Sequence, residues 1–484
     1  MNFKIILRTL GNLLFMEALL LLPSLGLAFY DGNSEVLKGV LITILILLAV
    51  PLGTAIFCRK PERTFYTREG FLLVALSWIV LSAFGCLPFI FSGEIPSFVD
   101  AFFEMVSGFT TTGASILTDV EAMSRPLLYW RSFSHWLGGM GILVFMLAIV
   151  PNAKGSGDTF HVLRAESPGP SIGKIVPKMR QHALILYGIY LALTASCFAL
   201  LMVGGMPLFD GICVTFGTVG TGGFSIKADS LASYSIFCQS VVAIFTALSG
   251  VNFNLFFLVL LKRWKEALKD EELRVYLGIM LSATILVTLN IAGMFGSTKE
   301  AFHHAFFMVS GALTTAGFSA ADFNAWPQFS KVLLIILMLL GASAGSTGGG
   351  MKISRVIILV KSTGREIQRM LRPRSVISVK MNGRSISEGT IQGVNVYIIC
   401  HLAILIASFL IVSLDNFSLE ATFSAVLACL NNIGVGFGIV GTTGNFSDFS
   451  ALSKLVLTFN MLLGRLEIFP LLVLFNARSW NRAT

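Results

Sequence analysis

The chain has 484 residues, of which 55% are hydrophobic and only 13% charged, and its formal net charge is +9. So few charges exclude a soluble globular protein, in which about a quarter of the residues are charged. Apolar runs of about 20 residues, enough to cross a bilayer as a helix, instead predict an all-α polytopic membrane protein. The seven cysteines are scattered through these runs, which favours buried small side chains over a disulfide framework.

Two helices, at residues 3–29 and 36–58, are predicted to lead the chain, and we interpret the first as a retained helix rather than a removed signal peptide. A pattern then recurs four times: a spanning helix, a shorter apolar helix typical of a re-entrant half-helix, a glycine stretch and a second spanning helix. The first copy has its helices at 71–91, 97–109 and 126–150, and the later copies run over about 182–262, 274–362 and 392–477.

This pattern predicts ten transmembrane helices: two N-terminal helices and four repeats of helix, re-entrant pore helix and helix. The predicted units are residues 1–69, 70–155, 178–268, 270–370 and 390–484. In the third repeat we expect the second helix to be interrupted.

Charge placement predicts the orientation. Most lysines and arginines fall in the two termini and in segments 59–68, 152–181, 262–274 and 352–384. The positive-inside rule therefore places both termini in the cytoplasm. An even number of spans agrees with this, because it puts both termini on the same side of the membrane. The segments on the other side are mostly acidic, so they either concentrate cations at an outer mouth or are simply solvated loops.

Four glycine stretches follow the four short helices. They lie at residues 110–115, 220–225, 314–319 and 433–437. Bare peptide groups at membrane depth are tolerated where protein buries them or where they line a watery path. Close helix packing through small residues would explain one such stretch, but four at matching places favour a ring around one pore.

The chemistry of these stretches suits a dehydrated cation. Hard cations prefer oxygen ligands, and converging backbone carbonyls can replace a hydration shell. Glycine adopts the left-handed backbone that such convergence needs. The C-terminal ends of four half-helices pointing at the pore centre would add partial negative charge.

The register of the stretches follows from local sequence. Gly113, Gly223 and Gly317 align on Gly-x-Ser, and Gly436 is aligned with them on the shared Gly-Phe. In the second stretch, Thr218-Val219-Gly220 is an alternative frame. The predicted filter residues are Thr110, Thr111, Thr112, Gly113, Gly220, Thr221, Gly222, Gly223, Thr314, Thr315, Ala316, Gly317, Ile433, Gly434, Val435 and Gly436.

A glycine-rich run in the third repeat predicts a loop beneath these stretches. Residues 341–350 are too rich in glycine to remain helical cheaply, because each helical glycine costs about 1 kcal/mol relative to alanine. Such a loop should face the watery cavity, where it can obstruct ions, although packing through small residues is the alternative. The predicted gate residues are Gly341, Gly345, Ser346, Thr347, Gly348, Gly349 and Gly350, together with Arg465.

Arg465 is a charge within the apolar segment 459–475. An intramembrane charge of this kind is by default a functional candidate. We expect Arg465 to point into the pore below the filter, where it repels a second cation or contacts the loop. A structural salt bridge with Glu467 or Glu17 is the alternative.

These residues resemble the four filter segments of the Trk/Ktr/HKT superfamily of cation transporters, and the two leading helices resemble its TrkH branch. The resemblance covers the chain from Met1 to about residue 480. It implies a pseudo-fourfold pore, a homodimer, a TrkA-type cytosolic nucleotide-binding regulatory subunit and a bacterial inner membrane containing the protein. Glycine at all four aligned positions favours potassium, and we expect potassium contacts at Thr111, Thr112, Val219, Gly220, Thr314, Thr315, Asn432 and Ile433.

The sequence therefore predicts potassium-selective uptake through one pore per protomer, with potassium as the transported substrate, no organic cofactor, and contacts to membrane lipids but not to nucleic acid. A sodium- or proton-coupled symporter is the first rival, with Glu17, Glu467 or His401 as carriers. An intramembrane enzyme is the second, and the lack of paired aspartates or a His-Glu-x-x-His motif argues against it.

Overall fold

The computed structural model describes residues 3–57, 67–141, 179–375 and 377–475. Helices dominate this part of the chain. In chain order they are α1 (Phe3–Leu20), α2 (Leu22–Asp31), α3 (Ser34–Phe57), α4 (Thr67–Gly85), α5 (Leu87–Phe91), α6 (Phe98–Phe109), α7 (Arg125–Gly139), α8 (Met179–Val203), α9 (Leu208–Val219), α10 (Ile236–Ser249), α11 (Phe253–Leu260), α12 (Trp264–Lys269), α13 (Glu271–Ile291), α14 (Thr298–Thr314), α15 (Gln328–Leu340), α16 (Ile353–Leu371), α17 (Glu388–Val412), α18 (Leu419–Leu430), α19 (Ala451–Arg465) and α20 (Phe469–Phe475). Two short strands, β1 (Lys380–Met381) and β2 (Arg384–Ser385), pair antiparallel in a hairpin after α16.

Six helical segments in the described residues are long and apolar enough to cross a membrane. They are Phe3–Asp31, Ser34–Thr54, Glu69–Phe91, Ala183–Val203, Glu271–Met294 and Glu388–Asp415. The first contains the break between α1 and α2, where Pro23 begins the new helix. The chain therefore spans the membrane several times.

Four short helices, α6, α9, α14 and α18, follow the long helices α4, α8, α13 and α17. They have 12, 12, 17 and 12 residues. Three begin at a serine whose hydroxyl accepts the N–H three residues later, which satisfies one of the free donors at a helix start. Each also carries an acid in its first turn, where it favours the positive end of the helix dipole.

The second helix is interrupted in more repeats than the sequence predicts. α10 and α11 meet at 92°, and α19 and α20 are separated by Leu466, Glu467 and Ile468. The third repeat has the predicted interruption, between α15 and α16. In the first repeat α7 ends at Gly139, and residues 142–150 of the predicted helix lie outside the described chain. The prediction of a continuous second helix is thus wrong for repeats two and four.

The ends of the short helices lie close to the second helices at two of these places. A Cβ on Gly138 would lie 1.8 Å from the carbonyl oxygen of Phe109, the last residue of α6. A Cβ on Gly464 would likewise lie 2.1 Å from the carbonyl oxygen of Leu430, the last residue of α18. At these two glycines the second helix has no side chain, which lets the end of a short helix lie directly against it.

Replacing Gly39 by alanine is expected to destabilise the protein, whereas the same change at Gly53 in the same helix is not. A Cβ on Gly39 would lie 2.7 Å from the backbone nitrogen of Ser92, but one on Gly53 meets nothing within 4 Å. Overpacking costs about 1–3 kcal/mol, while an unobstructed helical Gly→Ala change gains up to about 1 kcal/mol. Thermal unfolding of the detergent-solubilised variants measures both changes. Equal shifts in the two variants would contradict the close contact.

Candidate functional site: a ring of four glycine stretches

The four short helices end in the same way. In each, an N–H just past the helix donates to the carbonyl five residues earlier, which is a Schellman closure. These bonds are Thr112 to Ser107 (2.9 Å), Gly222 to Gly217 (2.8 Å), Ala316 to Gly311 (2.9 Å) and Ile433 to Ala428 (2.8 Å). The common closure gives the register of all four stretches.

The residue that turns the chain is left-handed in every copy, yet none is glycine. The φ angles are 55° at Thr111, 54° at Thr221, 60° at Thr315 and 56° at Asn432. Asparagine tolerates this region, but a β-branched residue there is a true outlier. Strain of about 1–3 kcal/mol at such positions is typical of functional sites.

A second left-handed residue follows two positions later, and here it is always glycine. The residues are Gly113 (φ 84°), Gly223 (81°), Gly317 (64°) and Gly434 (82°). Each stretch thus bends twice within three residues.

These four glycines form a closed ring. A Cβ on Gly113 would lie 2.1 Å from the carbonyl oxygen of Gly222. The corresponding distances are 2.2 Å from Gly223 to the Ala316 oxygen, 2.3 Å from Gly317 to the Ile433 oxygen and 2.3 Å from Gly434 to the Thr112 oxygen. Each stretch contacts the next and the fourth contacts the first, so no position has room for a side chain.

The predicted register of the fourth stretch is wrong. Gly434 occupies the ring, whereas Gly436 lies outside it, where its N–H donates to the carbonyl of Val440 at 2.8 Å and its Cα faces Ser424. In the second stretch, the preferred frame at Gly223 agrees with the ring.

The eight predicted potassium contacts do not all share one register. Thr111, Thr112, Asn432 and Ile433 occupy matching positions. Val219 is instead the last residue of α9, so the matching pair in the second stretch is Thr221 and Gly222. In the third stretch the matching pair is Thr315 and Ala316, one residue beyond the predicted Thr314 and Thr315.

One side of the ring opens into a vestibule formed by the loops that follow the stretches. Hydroxyl groups line it, at Ser115, Ser225 and Ser319 among others. Among the described residues that line this space, the charged ones are Arg131 and Lys227. The described lining of the vestibule therefore contains no acidic side chain that could concentrate cations there, as one of the two interpretations expected.

The loop between α15 and α16 lies against the other side of the ring. The N–H of Gly349 donates to the Thr315 hydroxyl at 2.7 Å, and the Thr221 hydroxyl lies 3.3 Å from that of Thr347. A Cβ on Gly348 would lie 2.7 Å from the carbonyl oxygen of Thr314. The loop therefore contacts the residues at which two stretches turn.

The loop needs its glycines for backbone conformation as well. Gly341, Gly345 and Gly350 have φ angles of 72°, 72° and 76°. Its N-terminal part is fixed to the break in the second repeat, where Ser343 N–H donates to the Gly250 carbonyl at 3.1 Å. The interrupted helix predicted at 341–350 is thus an ordered loop.

Glu272, a residue that the sequence reasoning missed, holds both ends of this loop. One of its carboxylate oxygens accepts the N–H of Ala344 at 2.8 Å and that of Ser354 at 3.0 Å. The side chain is buried near the start of α13. An acid at a helix start is ordinarily explained by the helix dipole, so the sequence gives no signal of this second role.

Arg465 connects the loop to the first repeat. Its guanidinium donates to the Thr347 carbonyl at 2.8 Å, to the Gly139 carbonyl at 2.9 Å and to that of Gly138, and it reaches the Thr111 hydroxyl at 3.2 Å. These contacts place the charge beside the ring on the loop side. Glu467, the alternative salt-bridge partner, pairs instead with Arg355.

Known proteins resemble this chain over its whole length. The family model described as TrkH, a cation transport protein, matches residues 37–482. The Trk system potassium uptake protein TrkH of Salmonella typhimurium is 37% identical over 99% of this chain and 100% of its own, and TrkG of Escherichia coli is 32% identical over 99% of each. The crystal structure of the potassium transporter TrkH from Vibrio parahaemolyticus matches with a TM-score of 0.88 and 32% identity, over 99% of this chain and 100% of that one. The chain therefore belongs to the TrkH family of cation transport proteins.

Proposed function

We propose that this protein takes up potassium selectively through the ring of four glycine stretches. The observation that carries the proposal is the ring itself: four backbone segments with the same two left-handed bends, each in contact with the next. Backbone carbonyls arranged in this way replace the hydration shell of a potassium ion. The curated relatives are named as potassium uptake proteins, which supports the choice of ion.

The register of the ring supports one set of ion contacts. We infer that the ion is coordinated at Thr111, Thr112, Thr221, Gly222, Thr315, Ala316, Asn432 and Ile433, with Gly113, Gly223, Gly317 and Gly434 as the filter glycines. The turning residues lie between the ends of the pore helices and these glycines. The negative ends of four helix dipoles then favour a cation in the ring.

The loop at 341–352 acts as the gate in this proposal. It lies directly against the turning residues Thr221 and Thr315, so an ion leaving the ring on that side meets the loop first. Arg465 holds Thr347 there and adds a positive charge on the ion's path. Opening requires that these contacts be exchanged for others.

We infer that the protein lies in a bacterial inner membrane with both termini in the cytoplasm, as a homodimer with a TrkA-type nucleotide-binding subunit. The basic helix α16 continues directly from the loop; Arg369 in its last turn and Arg372 just beyond its end are exposed. A regulator bound to this helix could thereby act on the gate. Contacts with anionic lipid would explain the charge alone.

Proton-coupled symport is the alternative function, and one observation favours it. Both carboxylate oxygens of Glu17 and both ring nitrogens of His401 are buried without a hydrogen-bond partner in the described part of the chain. Such groups in a membrane are candidates for proton carriage. Glu467, the third predicted carrier, is paired with Arg355.

Alanine at Gly434 is expected to reduce the preference for potassium over sodium, whereas alanine at Gly436 is not. The first change forces a side chain against the Thr112 carbonyl at a left-handed position, while the second meets the Ser424 and Val440 side chains outside the ring. Overpacking costs about 1–3 kcal/mol, and every 1.4 kcal/mol is about tenfold in an equilibrium constant. Potassium and sodium fluxes in proteoliposomes give the ratio. A loss of preference in Gly436→Ala alone would overturn the ring assignment.

Deleting residues 345–350 is expected to raise potassium flux without changing the ion preference, because the loop obstructs the path below the ring. Thr347→Val should raise flux less, since it removes only the hydroxyl that faces Thr221. Ser346→Ala is the matched control, because that hydroxyl bonds within the loop to Ser343. Flux is measured per folded protein in proteoliposomes. Lower flux from the deletion variant, at unchanged access to the cavity, would argue against a gate.

Passive permeation predicts that the reversal potential follows the potassium gradient alone. An imposed pH gradient should then leave it unchanged in the wild type and in Glu17→Gln. Electrical recording from proteoliposomes or planar bilayers measures this potential. A shift with pH that Glu17→Gln or His401→Gln abolishes would establish the coupled alternative instead.

A further inference from the structure

Glu104 on the first pore helix α6 and Arg131 on α7 form a buried ion pair. The Arg131 Nε lies 2.5 Å from a Glu104 oxygen, and the two side chains are 2% and 0% exposed. No other ion pair within the described residues is so completely enclosed at both ends. The proposed permeation route leaves this pair without a role.

The Glu104 carboxylate holds the outer end of the first glycine stretch. It accepts the Ser115 hydroxyl at 3.0 Å and the Ile116 N–H at 2.9 Å. Together with Arg131, these donors satisfy a buried charge, which would otherwise be strongly destabilising. Ser115 lies two residues beyond the ring glycine Gly113, so the carboxylate fixes the chain where it leaves the ring.

The Arg131 guanidinium holds the matching end of the second stretch. It donates to the Ser225 carbonyl at 2.8 Å, two residues beyond Gly223. The central carbon of the guanidinium, Cζ, also lies 3.6 Å from the centre of the Phe224 ring. One planar side chain therefore binds a carboxylate from the first repeat, and a carbonyl and an aromatic face from the second.

This contact continues to the ring itself. Phe224 stacks on His135, with ring centres 4.1 Å apart. The His135 imidazole in turn occupies the space beside Gly222, where a Cβ would lie 2.1 Å from Nδ1. Two packed rings thus connect Arg131 to Gly222, whose carbonyl oxygen faces the ring glycine Gly113.

Electrostatics argues against a role for Arg131 as a binding group. It lines the outer vestibule, where an unneutralised positive charge would repel an arriving cation. Glu104 neutralises it by direct contact. The remaining role for the pair is structural: it holds the first and second stretches at a fixed distance from each other.

We propose that the Glu104–Arg131 pair is a positioning bracket that sets the preference for potassium over sodium by fixing the outer ends of the first and second stretches relative to each other. The inference rests on the proposed function. Potassium and sodium differ in the oxygen spacing that they require, so a small change in the distance between two stretches changes the preference. Two other junctions carry neutral backbone bonds, from Leu231 N–H to the Ser319 carbonyl at 3.1 Å and from Phe446 N–H to the Ser115 carbonyl at 2.8 Å.

The critical variant is Arg131→Lys, because lysine keeps the charge beside Glu104 but lacks the planar fork that also reaches Ser225 and lies on Phe224. We expect the potassium-to-sodium flux ratio in proteoliposomes to fall at least about fivefold, the low end of ordinary coupling between sites. Glu104→Asp, which shortens the bracket by one methylene, should lower the ratio as well. Asp100→Asn is the matched control, since the Asp100–Lys454 pair (2.7 Å) also joins two repeats but does not reach a ring stretch.

A flux ratio distinguishes positioning from folding. Loss of folded protein scales both fluxes equally and leaves the ratio unchanged. Wild-type ratios in Arg131→Lys and Glu104→Asp would overturn the bracket, and so would failure of both variants to fold. A wild-type protein without potassium preference would instead refute the proposed function.

Discussion

The need to satisfy every peptide group within the membrane governs this structure. A pore helix that stops at membrane depth leaves carbonyls and N–H groups without water, and the chain must supply their partners. All four pore helices solve this with the same closure, in which the residue after the turn bonds back to the helix. The closure requires a left-handed residue, and that residue places the following peptide groups around the ring.

The same constraint explains the interior below the ring. The second helices of repeats two and four break near the ends of short helices, and α7 ends at Gly139, so further carbonyls lack the donors of a continuing helix. Arg465 supplies donors to the carbonyls of Gly138, Gly139 and Thr347, which belong to two different repeats. One cationic side chain thus satisfies the backbone and fixes the loop against the ring. In the gate that we propose, these contacts stabilise the closed state, because opening would deprive those carbonyls of their donors.

The sequence predicted the short helices, three ring glycines and the interrupted third repeat, but it misplaced the fourth glycine. The reason lies in the shared Gly-Phe that served for alignment. In the second and third stretches the phenylalanine directly follows the ring glycine, whereas Phe437 follows Gly434 by three residues, ahead of the short helical turn at Gly438–Val440. A better signal was present two residues before each glycine, where Thr111, Thr221, Thr315 and Asn432 stand.

The breaks in the other second helices were harder to predict. Gly138, Gly250 and Gly464 are single glycines or pairs in apolar runs, and they are equally typical of close helix packing. Close packing is in fact present, but its partner is the end of a short helix: the last carbonyl of α6 at Gly138, the last carbonyl of α18 at Gly464, and the side chain of Thr314, the last residue of α14, at Gly250. Only the tertiary arrangement distinguishes these cases, since the sequence around each glycine is that of an ordinary membrane helix.

The four stretches of the ring share one backbone conformation, but the contacts that hold neighbouring stretches together differ. Neutral backbone bonds join the second stretch to the third and the fourth to the first, whereas a buried ion pair joins the first to the second. Because the backbone bends are dictated by peptide groups, substitution within the ring is strongly constrained at every position. Side chains behind the ring are free of that constraint and differ between repeats. If the ring is the filter that we propose, its ion preference can therefore vary more readily through these supporting contacts, one junction at a time, than through the ring residues themselves.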